Sequence, residues 1–364
     1  MTFTADSLST FLSGATILQA MTFVIVLLAP RFRQPYANRI LIALLLVFCI
    51  EKADQLFLAS GAVLAHPQFG MIGNLFGALI SPLIFLHVCA RTDTGFRLNR
   101  ATALVFIPFV LLVIYAVASF HVLPLEDKRA AFAQGLILTP LNTWIIPVLG
   151  DLVSLGIFLA AMRVLHRHDM RVRNWFSEIE DRTLTGLRTL VAMIAILMAL
   201  HLVWTLTRSP GFGLVLNLAH FILINVLGLT ALRPAPQAQG EERALPETAP
   251  GNSQADPALL QAIDAALEAD KLYLDPDLTV ARLARHIRHK PRAVSETINA
   301  LAGRNFYDHV NRLRIDAAKL QLKAEPDTSI LDIAYACGFN SKSAFNTAFK
   351  RLTLVTPSAF RRDG

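Results

Sequence analysis

Residues 332–362 read DIAYACGFNSKSAFNTAFKRLTLVTPSAFRR, and this stretch decides how the last part of the chain folds. Its apolar residues recur three and four apart, the spacing of helices that bury one face. Two helices fit: Ile330 to Cys337, and Ser341 to Arg351. Gly338 supplies the tight turn between them, Phe339 fills the corner, and Ala334 is small where two helices must cross closely. Phe345 and Phe349, four apart, face one core. The face left over carries Ser341, Lys342, Ser343, Asn346 and Lys350. These are hydrogen-bonding residues on the side that a groove of double-stranded DNA would meet.

Working outward, residues 258–364 read as an all-helical domain, because each candidate helix has a start signal. Thr279, Ser329, Ser341 and Thr356 stand where N-caps belong, and Pro357 follows its cap at the first helical position, where a missing N–H costs nothing. Charge agrees with a nucleic-acid partner. From Arg282 to Arg362 there are fifteen Lys/Arg against six Asp/Glu, and phosphate neutralisation by such residues dominates nonspecific affinity. A cationic domain near a membrane can also rest on anionic lipid, but lipid adhesion does not require helix pairs punctuated by Gly and Pro.

At Ile333-Ala334, Gly338-Phe339, Ser341, Ser343, Phe345, Phe349-Lys350, Thr356-Pro357 and Phe360-Arg361 the chain resembles the AraC/XylS family of transcription regulators. The resemblance covers roughly the last hundred residues. It implies two helix-turn-helix units and sequence-specific DNA binding. A first unit is available upstream: Leu283-Ala284 lie in its first helix, and Lys290-Pro291 open a recognition helix through Arg292, Ser295, Glu296 and Asn299 to Leu301. Asn305 to Leu322 is similar to the family's long linking helix. At 1.5 Å per residue it runs about 27 Å, comparable to the roughly 34 Å between successive major grooves on one DNA face. Two departures stand out. Leu354 occupies a position where the family has Gly ending a helix, and Arg288 and His289 occupy the first turn, where a small and an apolar residue are usual.

The rest of the chain has a different solvent. Of 364 residues 54 % are hydrophobic and only 17 % charged, with a net charge of +7; an average soluble protein has about a quarter charged. Seven stretches reach the roughly 20 apolar residues that span a bilayer: 8 to 29, 40 to 61, 69 to 90, 101 to 120, 144 to 165, 184 to 206 and 213 to 232. The fold class expected is therefore all-α: a seven-helix transmembrane bundle over residues 1–232, then a soluble helical domain with two helix-turn-helix units. The amino terminus, MTFTADSLST, lacks the Lys/Arg of a secretory signal, so the first span is expected to be retained. Between the two parts, residues 233–257 are proline-rich, without periodicity, and read as a flexible linker. Ser81-Pro82 is expected to kink the third span.

Orientation follows from the loops, since short cytoplasmic loops concentrate Lys and Arg. The loops after the first, third and fifth spans hold twelve Arg, and the alternate loops only Lys128, Arg129 and Arg208. The amino terminus is thus expected outside a bacterial inner membrane, and everything after Leu232 in the cytoplasm. The second span carries Glu51, Lys52 and Asp54. With Asn74, Asp151, His201, Asn217 and His220, Glu51 and Asp54 fall at mid-depth or in the outer half of their spans, an expected polar layer open to the outside. Ionisable groups at such depth are costly and mark candidate functional sites, although interhelical hydrogen bonding alone also uses such residues.

These features select a one-component regulator: a membrane bundle senses an unidentified small-molecule or ionic signal, and the tethered domain binds promoter DNA, with homodimerisation as the means of control. A bundle that is a transporter-like module or a passive anchor is the alternative. Cys49, Cys89 and Cys337 lack metal-ligand spacing, and the sequence has no phosphate loop or nucleophile elbow. No metal, cofactor or enzymatic activity is expected.

Overall fold

A computed structural model describes residues 5–30, 36–93, 95–134, 141–177, 185–207, 210–232 and 256–362. Among these, all regular elements are helical, and the one β feature is an isolated antiparallel bridge between Phe176 and Thr279. The chain divides into two units. One comprises Met1–Leu165 and Thr185–Ala235, the other His166–Leu184 and Pro236–Gly364.

The first unit is built on α1 (Ala5–Leu28), α2 (Tyr36–Ala59), α3 (Ile72–Gly77), α4 (Ile80–Thr92), α5 (Arg100–Ala103), α6 (Ile107–Ala116) and α7 (Leu125–Ala133). It continues with the first part of α8 (Ile146–Trp175), with α9 (Thr185–Thr207) and with α10 (Pro210–Leu232). Helix α1 packs on α2 and α10, α2 also on α3 and α4, and α9 on α10. Leu27, Leu41, Leu44 and Ile224 are fully buried where these helices meet. Leu104, Leu111 and Ile114 around α6, and Leu149, Leu152 and Leu159 on α8, are instead exposed. Soluble monomers rarely expose apolar surface on this scale.

Six helical segments are long and apolar enough to cross a membrane: Ser7–Leu28, Leu75–Thr92, Arg100–His121, Ile146–Trp175, Leu187–Thr207 and Phe212–Leu232. The second expected span is a helix of full length, Tyr36–Ala59, but Arg39, Glu51, Lys52 and Asp54 keep it out of the six. The third is broken at Ala78–Leu79, between α3 and α4. Pro82 lies four residues after Ala78, has no N–H to bond that carbonyl, and its ring crowds it. The expected kink therefore falls one turn ahead of the proline. Gly73 on α3 sits against Asp54 of α2, where a methyl group would collide with the Asp54 Cβ. The glycine allows that close approach.

The second unit contains α11 (Pro257–Glu268), α12 (Val280–His286), α13 (Pro291–Leu301), α14 (Phe306–Ala324), α15 (Ile330–Ala336), α16 (Lys342–Thr353) and α17 (Pro357–Arg362). All four expected caps form: Thr279 accepts from Arg282 N at 3.2 Å, Ser329 from Asp332 N at 3.0 Å, Ser341 from Ala344 N at 3.0 Å and Thr356 from Ala359 N at 3.2 Å. Two cores result. Helix α14 serves both, giving Phe306, Tyr307 and Val310 to one and Ile315, Ala318 and Leu322 to the other. In the second core the rings of Phe339, Phe345, Phe349 and Phe360 run in series, 5.2 to 5.5 Å between successive centroids.

The first core also holds part of the loop expected after the fifth span. Val172, Trp175 and Phe176 are buried there beside Leu259, Ile263, Val294 and Ile298. Val172 and Trp175 belong to the end of α8. Phe176 forms the bridge to Thr279, and Ser177 N donates to Leu278 O at 3.2 Å. Of the expected linker, residues 233–255 lie outside the described residues.

Candidate nucleic-acid interface and buried polar cluster

The two helix pairs of the second unit turn in the same way. His289 N donates to Ala284 O at 2.8 Å, and Phe339 N donates to Ala334 O at 3.0 Å. The residue ahead of each donor is left-handed, Arg288 with φ 57° and Gly338 with φ 84°. At Gly338 a Cβ would also lie 2.8 Å from Leu274 O, so both conformation and space require glycine. At Arg288 the same turn forms with a side chain present, at a cost of about 1–2 kcal/mol for the left-handed conformation. Leu354 adopts φ 66° after α16, the geometry for which glycine is the usual residue.

In the second pair, α15 and α16, the apolar side of α16 is spent on Phe345, Ala348 and Phe349. Lys342, Ser343 and Lys350 are exposed and Asn346 is half-buried. Ser341, expected among the readers, uses its side-chain oxygen to cap α16. In the first pair, α12 and α13, Lys290 is the exposed residue before α13 and Asn299 is exposed. Arg292 Nε donates to Glu296 Oε1 at 2.7 Å, one turn apart on the same helix. Ser295 is buried, and its Oγ donates to Asn174 O at 3.2 Å.

Not every basic residue is available to phosphate. Arg314, counted in the charge of the domain, is fully buried. It donates to Tyr273 O and Asp275 O at 2.7 Å each and to Ser177 Oγ at 3.2 Å, and it lies over the Phe339 ring at 5.6 Å. Its charge is satisfied by carbonyl oxygens, and its place is between the two cores. Burial pushes the nearby Cys337 thiol up to about 11, so this cysteine is inert as a nucleophile at neutral pH.

Residues 283–363 match the family model described as Helix-turn-helix domain. This part of the chain is similar to helix-turn-helix domains of the AraC type. Its relatives include the HTH-type transcriptional regulator GlxA of Rhizobium meliloti (strain 1021), 36 % identical over 106 residues, which are 29 % of this chain and 31 % of GlxA. An uncharacterized HTH-type transcriptional regulator of Staphylococcus aureus (strain COL) is 32 % identical over 93 residues, 26 % of this chain and 12 % of that protein. The chain thus spans less than a third of the length of either relative. The C-terminal domain of AraT, a response regulator from Geobacillus stearothermophilus, aligns over 31 % of this chain and 89 % of its own at 26 % identity, with a TM-score of 0.27.

In the first unit the expected polar residues fall into distinct groups. Lys52 is almost fully buried and donates to Asn217 Oδ1 at 2.9 Å, Gln55 Oε1 at 3.2 Å and Glu51 Oε1 at 3.4 Å. Gln55 also donates to Glu51 at 3.0 Å, and Asn217 to Ser9 Oγ at 2.7 Å. Asp151 pairs with His201 at 2.9 Å. His220 Nδ1 is 2.8 Å from Leu216 O, and its ring stands edge-on to Phe48 at 5.7 Å. His201 and His220 are both within electrostatic reach of Glu51. Asp54 faces Gly73 instead. Asn74 lies in α3, and its side chain is outside the described residues. Lys52, Gln55 and Ser9 complete the cluster without having been singled out as site residues. The signal for the first two was helical spacing, because Glu51, Gln55 and Lys52 are one turn or less apart.

Proposed function

We propose that the chain is a membrane-embedded one-component transcription regulator. In this reading residues 1–232 form a seven-span bundle with α2 as the second span, the amino terminus faces out of a bacterial cell, and the helix-turn-helix domain is cytoplasmic. The observation that carries the DNA half is the match of residues 283–363 to the helix-turn-helix family, on a domain whose α16 leaves Lys342, Ser343 and Lys350 exposed over an aromatic core. Support for the membrane half comes from the six apolar helices and their outward-facing leucines. The arginine-rich alternate loops supply the orientation.

Each helix pair is read as one groove reader. Lys342, Ser343, Asn346 and Lys350, with Ser341 at the helix start, serve the second, and Lys290, Arg292, Ser295, Glu296 and Asn299 the first. A duplex motif selected from a random pool by the full-length protein in detergent should have two parts about one helical turn apart. Recovery of no motif would sink the reading. A cytoplasm-dependent reporter fused after Gly364 should be active, and activity only in the periplasm would refute the orientation.

The cluster of Glu51, Lys52 and Asn217, together with Asp151, His201 and His220, is proposed to register the signal, a small molecule or ion, through paired charges that a ligand or proton can rearrange. Asp54 and Asn74 are counted in the same proposed layer. Dimerisation of the bundle would raise the local concentration of one DNA-binding domain near another. A passive anchor is favoured by one observation, the hydrogen bonding of Lys52 and Asn217 within the cluster. Replacing Glu51, Asp151 and His220 by apolar residues separates the two: reporter expression that no longer responds to any condition supports sensing, and unchanged responses support the anchor.

A further inference from the structure

The two helix pairs present their recognition helices differently. In α16 the groove-facing side is open, with Lys342, Ser343 and Lys350 exposed. In α13 the middle of that side is occupied. Ser295 is 6 % exposed and bonded to the backbone of Asn174, and Arg292 and Glu296 are tied to each other. The occupant is a segment of the same chain, remote in sequence. Val172, Trp175 and Phe176 enter the first core, Arg173 lies over the Tyr307 ring at 5.3 Å, and Ser177 is held by Leu278 and Arg314.

We propose that residues 171–177 are a latch on the reading face of the first helix pair, and that this latch and DNA compete for α13. A recognition helix must turn its base-reading side chains out into the major groove; Ser295 cannot do so while its hydroxyl serves Asn174. With the latch seated, the domain reads DNA through α16 alone and binds half of its site. With the latch lifted, α13 can enter the adjacent groove, and the second set of phosphate and base contacts is added. The latch is the end of α8, the helix that begins at Ile146 within the fifth expected span.

This inference rests on the DNA-binding reading, and its test keeps the two apart. The protein is the full chain in detergent micelles, carrying Asn174→Cys and Ser295→Cys at the two positions that the Ser295 Oγ–Asn174 O hydrogen bond of 3.2 Å brings together. The probe is the duplex selected by the reduced form of that variant. Loss of protection on Lys350→Ala marks the half-site read by α16. Reduced protein should protect both half-sites. Oxidised protein should protect only the α16 half, bind at least tenfold more weakly, and recover on reduction. In a second variant, Phe176→Ala, affinity for the whole site should rise and the amides of α13 should exchange faster in the absence of DNA. Equal protection of both halves in the oxidised and reduced states overturns the latch and leaves DNA binding intact, as does failure of the two cysteines to join. No protection by the unsubstituted full chain of the duplex it selects overturns the DNA-binding reading, and the latch with it.

Discussion

Left-handed backbone positions separate what a residue must be from what it happens to be. Gly338 has no alternative, because its conformation and the Leu274 carbonyl both exclude a side chain. Leu354, 83 % exposed, and Arg288 have the same backbone sign without that crowding. Leu354→Gly and Arg288→Gly should each stabilise the second unit by about 1 kcal/mol, since glycine removes the left-handed strain but loosens the unfolded chain. Gly338→Ala should destabilise it by more than about 2 kcal/mol. Thermal unfolding followed by circular dichroism measures all three, and a lower melting temperature for both glycine variants would contradict the strain argument. The lysines of α16 act differently. Lys342→Ala and Lys350→Ala should each reduce the slope of log affinity against log salt by about 1. A salt titration of duplex binding that left the slope unchanged would remove these residues from the phosphate contacts.

At the scale of the element, α14 is the member that makes one domain of two helix pairs. It serves both cores, and its His309 Nε2 meets Asp264 Oδ1 of α11 at 2.9 Å. Burial holds the His309 pKa below its ordinary value, against the opposing pull of Asp264. A depressed histidine favours folding while it is neutral in both states. Its stabilisation is therefore full above about pH 6.5, the value of the unfolded chain, and is lost as pH falls below that toward the folded value. The melting temperature of the second unit should drop between pH 7.5 and 5.5, and His309→Gln should flatten that drop. An unchanged pH profile in the variant would assign the acid sensitivity elsewhere. The helix boundaries here were legible beforehand. Thr279 caps α12, Ser329 caps α15 and Ser341 caps α16 because a hydroxyl three residues before an amide is a local device.

For the whole molecule, the charged residues of α2 decide whether the first unit holds together. Lys52 is buried among Glu51, Gln55 and Asn217. Lys52→Met would leave Glu51 and Asn217 without that donor, and removing one partner of a buried charge pair costs about 3–5 kcal/mol. Thermal inactivation of the detergent-solubilised protein should come earlier for Lys52→Met, and restoration by Glu51→Gln in the same chain would identify the uncompensated carboxylate as the cause. No change in the single variant would mean that the pair is solvated. The expected site residues were visible as polar interruptions in apolar runs, but their partners were not. Asp151 and His201, or Lys52 and Asn217, are far apart in the chain, and only packing pairs them.

By itself, the sequence determined whatever depends on neighbours along the chain: the apolar lengths of α1, α8, α9 and α10, the caps of the second unit, the glycine of its second turn, and the helix-turn-helix signature of residues 283–363. The tertiary structure alone decided which long-range surfaces meet. It placed Val172, Trp175 and Phe176 in the first core of the second unit, buried Arg314 that composition counts as free charge, and turned Ser295 toward Asn174. The physical reason is one of range. Helix periodicity and capping are fixed by bonds within a turn or two, whereas a buried contact between residues more than a hundred positions apart follows from shape and burial in the folded chain, for which linear spacing carries no signal.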